Sequence, residues 1–355
     1  MAAFQKMSPA VKVTLRHYDN PENFMTPLQT GELEFDVALV PPVLLGNLRA
    51  ADQLAPLADF FAPTFLDNFA SVALQGANRD GQVWGLPETA GFHLLLFYNR
   101  DLVDSPPADT KALAKAAQLL DGQGQTLDHV LGLNNFDPLW VVPWVAAYGG
   151  WLTDARGRPT LDTAAMRQAL TLYQSWHDQT NGITIATSYD EMRAQFAAGT
   201  LPMAIDGDWA IGELARATNI DWAVAPLPGL VLEQGPQPAQ PLVLARYWVI
   251  NRSTGRDKAK AAASLLEFLT RPEQQLDQTL QFGLLPTRRE ALDNPIIVND
   301  AALRLSAQQM LAGRTLPLGV NPDALLNAMR EPLRQLLAGQ LTPDEAAKMM
   351  QANTK

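Results

Sequence analysis

The chain has no cysteine in 355 residues. Disulfides, thiolate metal sites and a cysteine nucleophile are therefore excluded. Long apolar runs are missing as well: nothing approaches the ~18–20 apolar residues of a membrane span. The nearest stretch, residues 138–152, is interrupted by Pro143 and by Gly149-Gly150. The four histidines, His17, His93, His129 and His177, are scattered, and none pair at metal-ligand spacing. Basic charge is in short supply. Lysine and arginine total 27 against 37 aspartates and glutamates, a net charge of −10, and the basic residues form no patch. That balance argues against a nucleic-acid groove and against an anionic membrane surface. There is no Walker loop, no GxGxxG after a strand and no GxSxG elbow. The opening MAAFQKMSPAVKV lacks the basic start and apolar core of a signal peptide, so the chain as written carries no export address.

What is present is a globular composition, 47% hydrophobic and 18% charged, at a length that suggests two domains. Residues 1–7 read as the last turns of an amphipathic helix stopped by Ser8-Pro9. Residues 11–15 alternate as VKVTL and predict a strand. Further strands are expected at 35–40 (FDVALV), 92–98 (FHLLLFY), 130–135, 203–205, 222–227 and 242–251. The continuous apolar run of 92–98 suits a strand covered on both faces. Helices are expected at 110–120, 138–148, 161–177, 257–269 and 322–337. Capping boxes at Ser188…Glu191 and Thr342…Glu345 each open a helix. Strands alternating with helices predict an α/β fold with largely parallel sheets.

The stretch LPMAIDGDWAIGE, residues 201–213, organises the functional reading. A strand that stops at Gly207 and restarts as a helix puts Trp209 at a sheet's carboxyl end, where open α/β sheets hold ligands. Asp208 reads as the helix N-cap. Trp209 is either a flat apolar plate for stacking on a ring or a core residue; the stretch alone leaves both open. Asp206 and Asp208 are better explained as a strand end and a cap than as an acid/base pair, and Asp137 carries the same ambiguity. Trp176, in helical register with Met166, Leu170 and Tyr173, reads as core, as does His93 in its apolar strand. What remains at strand ends is Asn135, Asp137, Trp140, Trp151, Trp209, Tyr247 and Trp248. Carboxylates and amides that bond hydroxyls, beside indole faces that meet C–H surfaces, suit a neutral hydroxylated ring.

The order of these pieces resembles extracellular solute-binding protein family 1 of ABC importers, the group that includes maltose-binding protein. The stretches that carry the resemblance are FDVALV with Asp52-Gln-Leu-Ala-Pro-Leu57, Gly81-Gln-Val-Trp-Gly-Leu-Pro87 with Phe97-Tyr-Asn-Arg-Asp-Leu102, Ala147-Tyr-Gly-Gly150, and Phe196-Ala-Ala-Gly199 followed by Met203-Ala-Ile-Asp-Gly-Asp-Trp209. Ala225-Pro-Leu-Pro228, Phe268-Leu-Thr-Arg-Pro-Glu273 and Gly283-Leu-Leu-Pro-Thr287 continue it to near the end of the chain.

The resemblance implies a type II periplasmic-binding-protein fold, α/β, of two hinged lobes. One lobe would comprise residues 1–91 and 245–295, the other 92–244 and 296–355. It implies a carbohydrate held between the lobes and delivered to ABC transporter permease subunits, an extracytoplasmic (periplasmic or cell-surface) location, a monomer, and no cofactor. Ligand-binding residues would be Asn135, Asp137, Trp140, Trp151, Asp208, Trp209, Tyr247 and Trp248. The family opens with a signal peptide, a strand and most of a helix; this chain starts at that helix's end, so one lobe is expected to lack its N-terminal strand. Pro41 to Leu44 are apolar where the family's sugar binders place polar contacts, and Leu326 replaces an aromatic of maltose-binding protein, which implies a sugar other than maltodextrin. Two other readings stand beside this one. A glycoside-processing enzyme would pair Asp137 with Asp206 or Asp208 at ~5–10 Å across a cleft. A truncated or non-transporting relative would explain the start.

Overall fold

The computed structural model describes residues 2–29, 34–122, 129–177, 183–184, 188–217 and 220–354. Two four-stranded sheets carry the fold. The first runs in the order Val37–Val40, Leu244–Ile250, Leu86–Gly91, Leu285–Pro286; the second runs Leu131–Gly132, Met203–Gly207, Leu94–Asn99, Trp222–Ala225.

Alternation along the central strands explains why each sheet is covered on both sides. In Leu94–Asn99, Leu94 and Leu96 enter one core, with Met166, Leu170, Trp144 and Trp176. Leu95 and Phe97 enter a second, with Met192 and Phe196. A period of two sends neighbours to opposite faces, so an unbroken apolar run is what a doubly covered strand needs. Leu244–Ile250 behaves in the same way. Ala245, Tyr247 and Val249 pack with Leu45 and Leu48 of the Pro42–Ala50 helix, while Trp248 and Ile250 pack with Leu266 of the Arg256–Leu269 helix.

The pairing corrects the expectation of largely parallel sheets. Among the described strands of the two sheets, only Leu131–Gly132 beside Met203–Gly207 is parallel; every other neighbouring pair is antiparallel. Alternating strands and helices predict parallel pairing only when consecutive strands join one sheet. Here Leu86–Gly91 and Leu94–Asn99 are consecutive in the chain but belong to different sheets.

Residues 11–15 are also corrected. They form no ladder: Val11 and Val13 rest half-buried beside Phe4, Leu265 and Phe268, and Leu15 is exposed. Val37–Val40, with Leu244–Ile250 as its neighbour, is an edge of the first sheet among the described residues. The helix expected at 138–148 is a 3-10 turn, Pro138–Trp140, followed by a short helix, Val142–Ala147. Pro143 lacks the N–H that a continuous helix would need there. The helix Pro322–Leu337 and the capping box at Thr342 stand where the sequence puts them.

Candidate functional site

The strand Met203–Gly207 is wholly buried and delivers Asp206, Gly207 and then Trp209 to one end of the second sheet. Trp209 is half-buried, and its position is fixed from three sides. Its indole N–H donates to the Tyr189 hydroxyl at 2.9 Å. That hydroxyl in turn donates to Asp206, whose other oxygen lies 3.2 Å from the Arg193 guanidinium; Arg193 also pairs with Glu213. The ring lies over Gly207, where a Cβ would land within the indole. Trp140 meets it in a T-shaped pair at 6.4 Å between centroids, and Trp140 is itself locked by a 2.6 Å bond from its indole N–H to the Ile205 carbonyl. Burial pushes the Asp206 carboxyl and the Tyr189 hydroxyl upward, and the Asp206 charge pushes Tyr189 further in the same direction. The hydroxyl therefore stays protonated and remains the donor in this chain.

The passage between the two sheets lies beside Trp209. Leu86–Gly91 ends the first sheet, Phe92 and His93 cross, and Leu94 begins the second. Asp208 closes on this crossing while its carbonyl accepts from the Ile211 N–H at 3.2 Å at the start of the helix that follows. One carboxylate oxygen accepts from the Phe92 N–H at 3.1 Å; the other stands 3.5 Å from His93 Nδ1. The Asp208 N–H donates to the His93 carbonyl at 3.0 Å. Gly91 makes room, since a Cβ there would meet the carboxylate. On the far side of the imidazole, His93 Nε2 and Ser306 Oγ share a 3.0 Å bond.

The order serine, histidine, aspartate is that of a nucleophilic triad. Here it is no such triad: His93 is fully buried and Ser306 is 1% exposed, out of a substrate's reach, and His93 Nδ1 makes no hydrogen bond to the carboxylate. Burial holds the imidazole below its ordinary value of 6.5, against the pull of Asp208. The unfolded chain then takes up this proton at a pH where the folded chain does not. The contribution of His93 is whole above pH ~6.5 and is lost as pH falls from there toward the folded value. Asp208, raised by burial above its ordinary 3.8, has the opposite sign and favours the fold as pH falls. Thermal melts from pH 7.5 down to 5.5 are expected to show the wild type losing more stability than His93→Gln, in which Asp208 is unchanged. Parallel losses would contradict this.

Residues 1–304 match the family described as bacterial extracellular solute-binding protein. The chain belongs to this family. A maltotriose-binding protein of Pyrococcus abyssi is 22% identical over 340 residues, spanning 94% of this chain and 72% of the relative. Solved structures share the fold. The maltose/maltodextrin-binding domain of Bdellovibrio bacteriovorus, bound to maltotriose, has a TM-score of 0.75 at 24% identity, over 99% of this chain and 93% of its own. The GacH receptor of Streptomyces glaucescens, described unliganded and with acarbose, gives 0.76 at 21%, over 99% and 91%. A cyclo/maltodextrin-binding protein complexed with maltotetraose gives 0.82 at 21%, over 99% and 90%. The two-lobed α/β architecture is the family's, and the relatives matched are binding proteins. No helix among the described residues is long and apolar enough to cross a membrane.

Within this solute-binding fold the residues singled out from sequence separate into groups. Trp209, Trp140 and Asp208 gather at the crossing; Trp209 is partly exposed, while Trp140 is 3% exposed and backs it from the core. Asp137 caps the 3-10 turn by accepting from the Leu139 N–H at 3.0 Å and pairs with Arg330 at 3.2 Å. Asn135 is buried. Trp151 is buried under the Arg314 guanidinium, 4.4 Å from its ring centre. Tyr247 and Trp248 lie elsewhere. Tyr247 is a core residue of the first sheet, its hydroxyl donating 2.9 Å to the Ala73 carbonyl. Trp248 packs on the opposite face of that sheet, against the cluster containing Leu86 and Ile250. A register of alternating faces sends these two neighbours into separate cores rather than toward Trp209. The sequence reading missed Tyr189 and Phe92. Tyr189 was visible only as a filler of the Ser188 capping box, and no signal marked its hydroxyl as Trp209's partner.

Proposed function

We propose that the protein is the substrate-binding component of an ABC importer and holds a neutral carbohydrate against the face of Trp209, between lobes divided near residues 91–92, 244–245 and 295–296. The observation that carries the reading is Trp209 itself. It is a partly exposed indole at a strand end, braced by Trp140 and fixed in orientation by Tyr189, so what it presents is preorganised. The relatives described as binding maltotriose, maltodextrin or acarbose support the ligand class. Asp137, 23% exposed at its side chain beside Arg330, supplies a charged hydrogen-bonding group for hydroxyls. Asn135, Trp140 and Trp151 act from behind as wall, Asp208 acts through the crossing, and Tyr247 and Trp248 stabilise the first lobe.

The protein performs no chemistry on the sugar. The second carboxylate that a glycosidase would need beside Asp137 is not free: Asp206 is a partner of Tyr189 and Arg193, and Asp208 holds the Phe92 backbone at the crossing. Calorimetric titration with glucose, galactose, maltose, cellobiose and maltotriose is expected to find a ligand, and Trp209→Ala is expected to weaken it by 10- to 100-fold with the fold retained. A best ligand that binds the variant as tightly as the wild type would remove Trp209 from the site.

A further inference from the structure

Of the phenylalanine, tyrosine and tryptophan side chains described, Phe92, Phe136 and Phe282 are the exposed ones. Phe92 alone of the three lies against Trp209, with ring centroids 5.2 Å apart and planes at 38°. It is 42% exposed, and its backbone has φ of 62°. That left-handed conformation is an outlier for a bulky side chain, and glycine would hold it without strain. The chain nevertheless carries phenylalanine here. The strained residue is held by a carboxylate: the Phe92 N–H donates to Asp208 Oδ1. An aromatic ring that gains little from burial, in a conformation that disfavours it, points to a contact the isolated chain does not make.

We propose that Phe92 is a second ligand-contacting plate, which meets the bound molecule beside Trp209 at an angle. We assign Asp208 as the positioning residue that holds it there through the backbone. This rests on the reading of the protein as a carbohydrate receptor and narrows it. Two inclined aromatic faces favour a ligand with two apolar C–H faces, such as a disaccharide or longer, over a single ring. Because Phe92 sits on the crossing between the sheets, contact with it also ties the ligand to the segment about which the lobes move.

The test separates contact from architecture. Phe92→Gly is expected to keep or raise the melting temperature, because glycine relieves the left-handed backbone. The same variant is expected to lose at least 10-fold in affinity for the tightest-binding sugar of the five-sugar titration, and more for maltotriose than for glucose. Phe92→Tyr, which keeps the ring, is expected to bind within about threefold of the wild type. Asp208→Asn is expected to weaken binding in the wild-type background but to add little in Phe92→Gly, as for residues acting through one another. Unchanged affinity in Phe92→Gly, alongside loss in Trp209→Ala, would overturn the assignment and leave the receptor reading standing. A fall in melting temperature together with affinity would make Phe92 a structural residue and overturn it too. Failure of the wild type to bind any of the five sugars would remove the receptor reading, and the role of Phe92 with it.

Discussion

Trp144→Ala is expected to lower the unfolding free energy by about 4 kcal/mol, in the middle of the range for loss of a large aromatic core side chain. Trp144 is 1% exposed and meets Trp176 edge-on, with centroids 4.7 Å apart and planes at 87°. Its indole N–H donates to the Pro228 carbonyl at 3.0 Å, linking the Val142–Ala147 helix to the segment after the Trp222–Ala225 strand. Alanine would leave a cavity among fixed neighbours and an acceptor without its donor, and the second effect adds to the first. Denaturant titration followed by far-ultraviolet circular dichroism measures the change. A loss below about 1 kcal/mol would mean that the surrounding helices collapse into the space, contrary to the packing described.

Gly207→Ala should nearly abolish ligand binding, by 100-fold or more, while costing about 2 kcal/mol of stability, as overpacking does. The new methyl would occupy the volume of the Trp209 indole, a rigid ring that cannot yield at its far end. Trp209 must then swing out, breaking the bond to Tyr189 and placing its ring where the ligand would rest. The effect is expected to exceed that of Trp209→Ala, which only removes the plate. Tryptophan emission should shift to the red as the indole enters water. A Gly207→Ala protein with native emission and native affinity would show that the strand end accommodates the methyl, and that the ring position is not set by this glycine.

Local chemistry was legible where it is decided locally. The Pro322–Leu337 helix opens at its proline, and Thr342 and Glu345 close their reciprocal box, because these groups answer only to neighbours within one turn. The family resemblance supplied the architecture. The partners of strands were not legible: alternation in residues 11–15 says which side chains share a face but not whether another strand lies alongside. Nor was the division of the aromatics. Trp140 and Trp209 each follow a strand in a similar setting, yet one donates to Ile205 inside the core and the other reaches Tyr189 at the rim. Asp208 read as a helix cap because the next residues are helical. Its carboxylate answers as well to the backbone of Phe92, 116 positions earlier in the chain. Contacts of that span leave no trace in a window of sequence.

The antiparallel pairing has a consequence for how the molecule is made. Val37 pairs with Ile250 and Leu94 with Gly207, so one inner strand of each sheet comes from the later part of the chain. A ribosome that has produced the first two hundred or so residues has produced no finished sheet, only two strands of each, with the strand that joins them still to come. Such distant closures make assembly slow and leave apolar strands unsheltered in the meantime. A chain cut short near the Tyr189–Ala197 helix should therefore gather into aggregates rather than settle into half a protein.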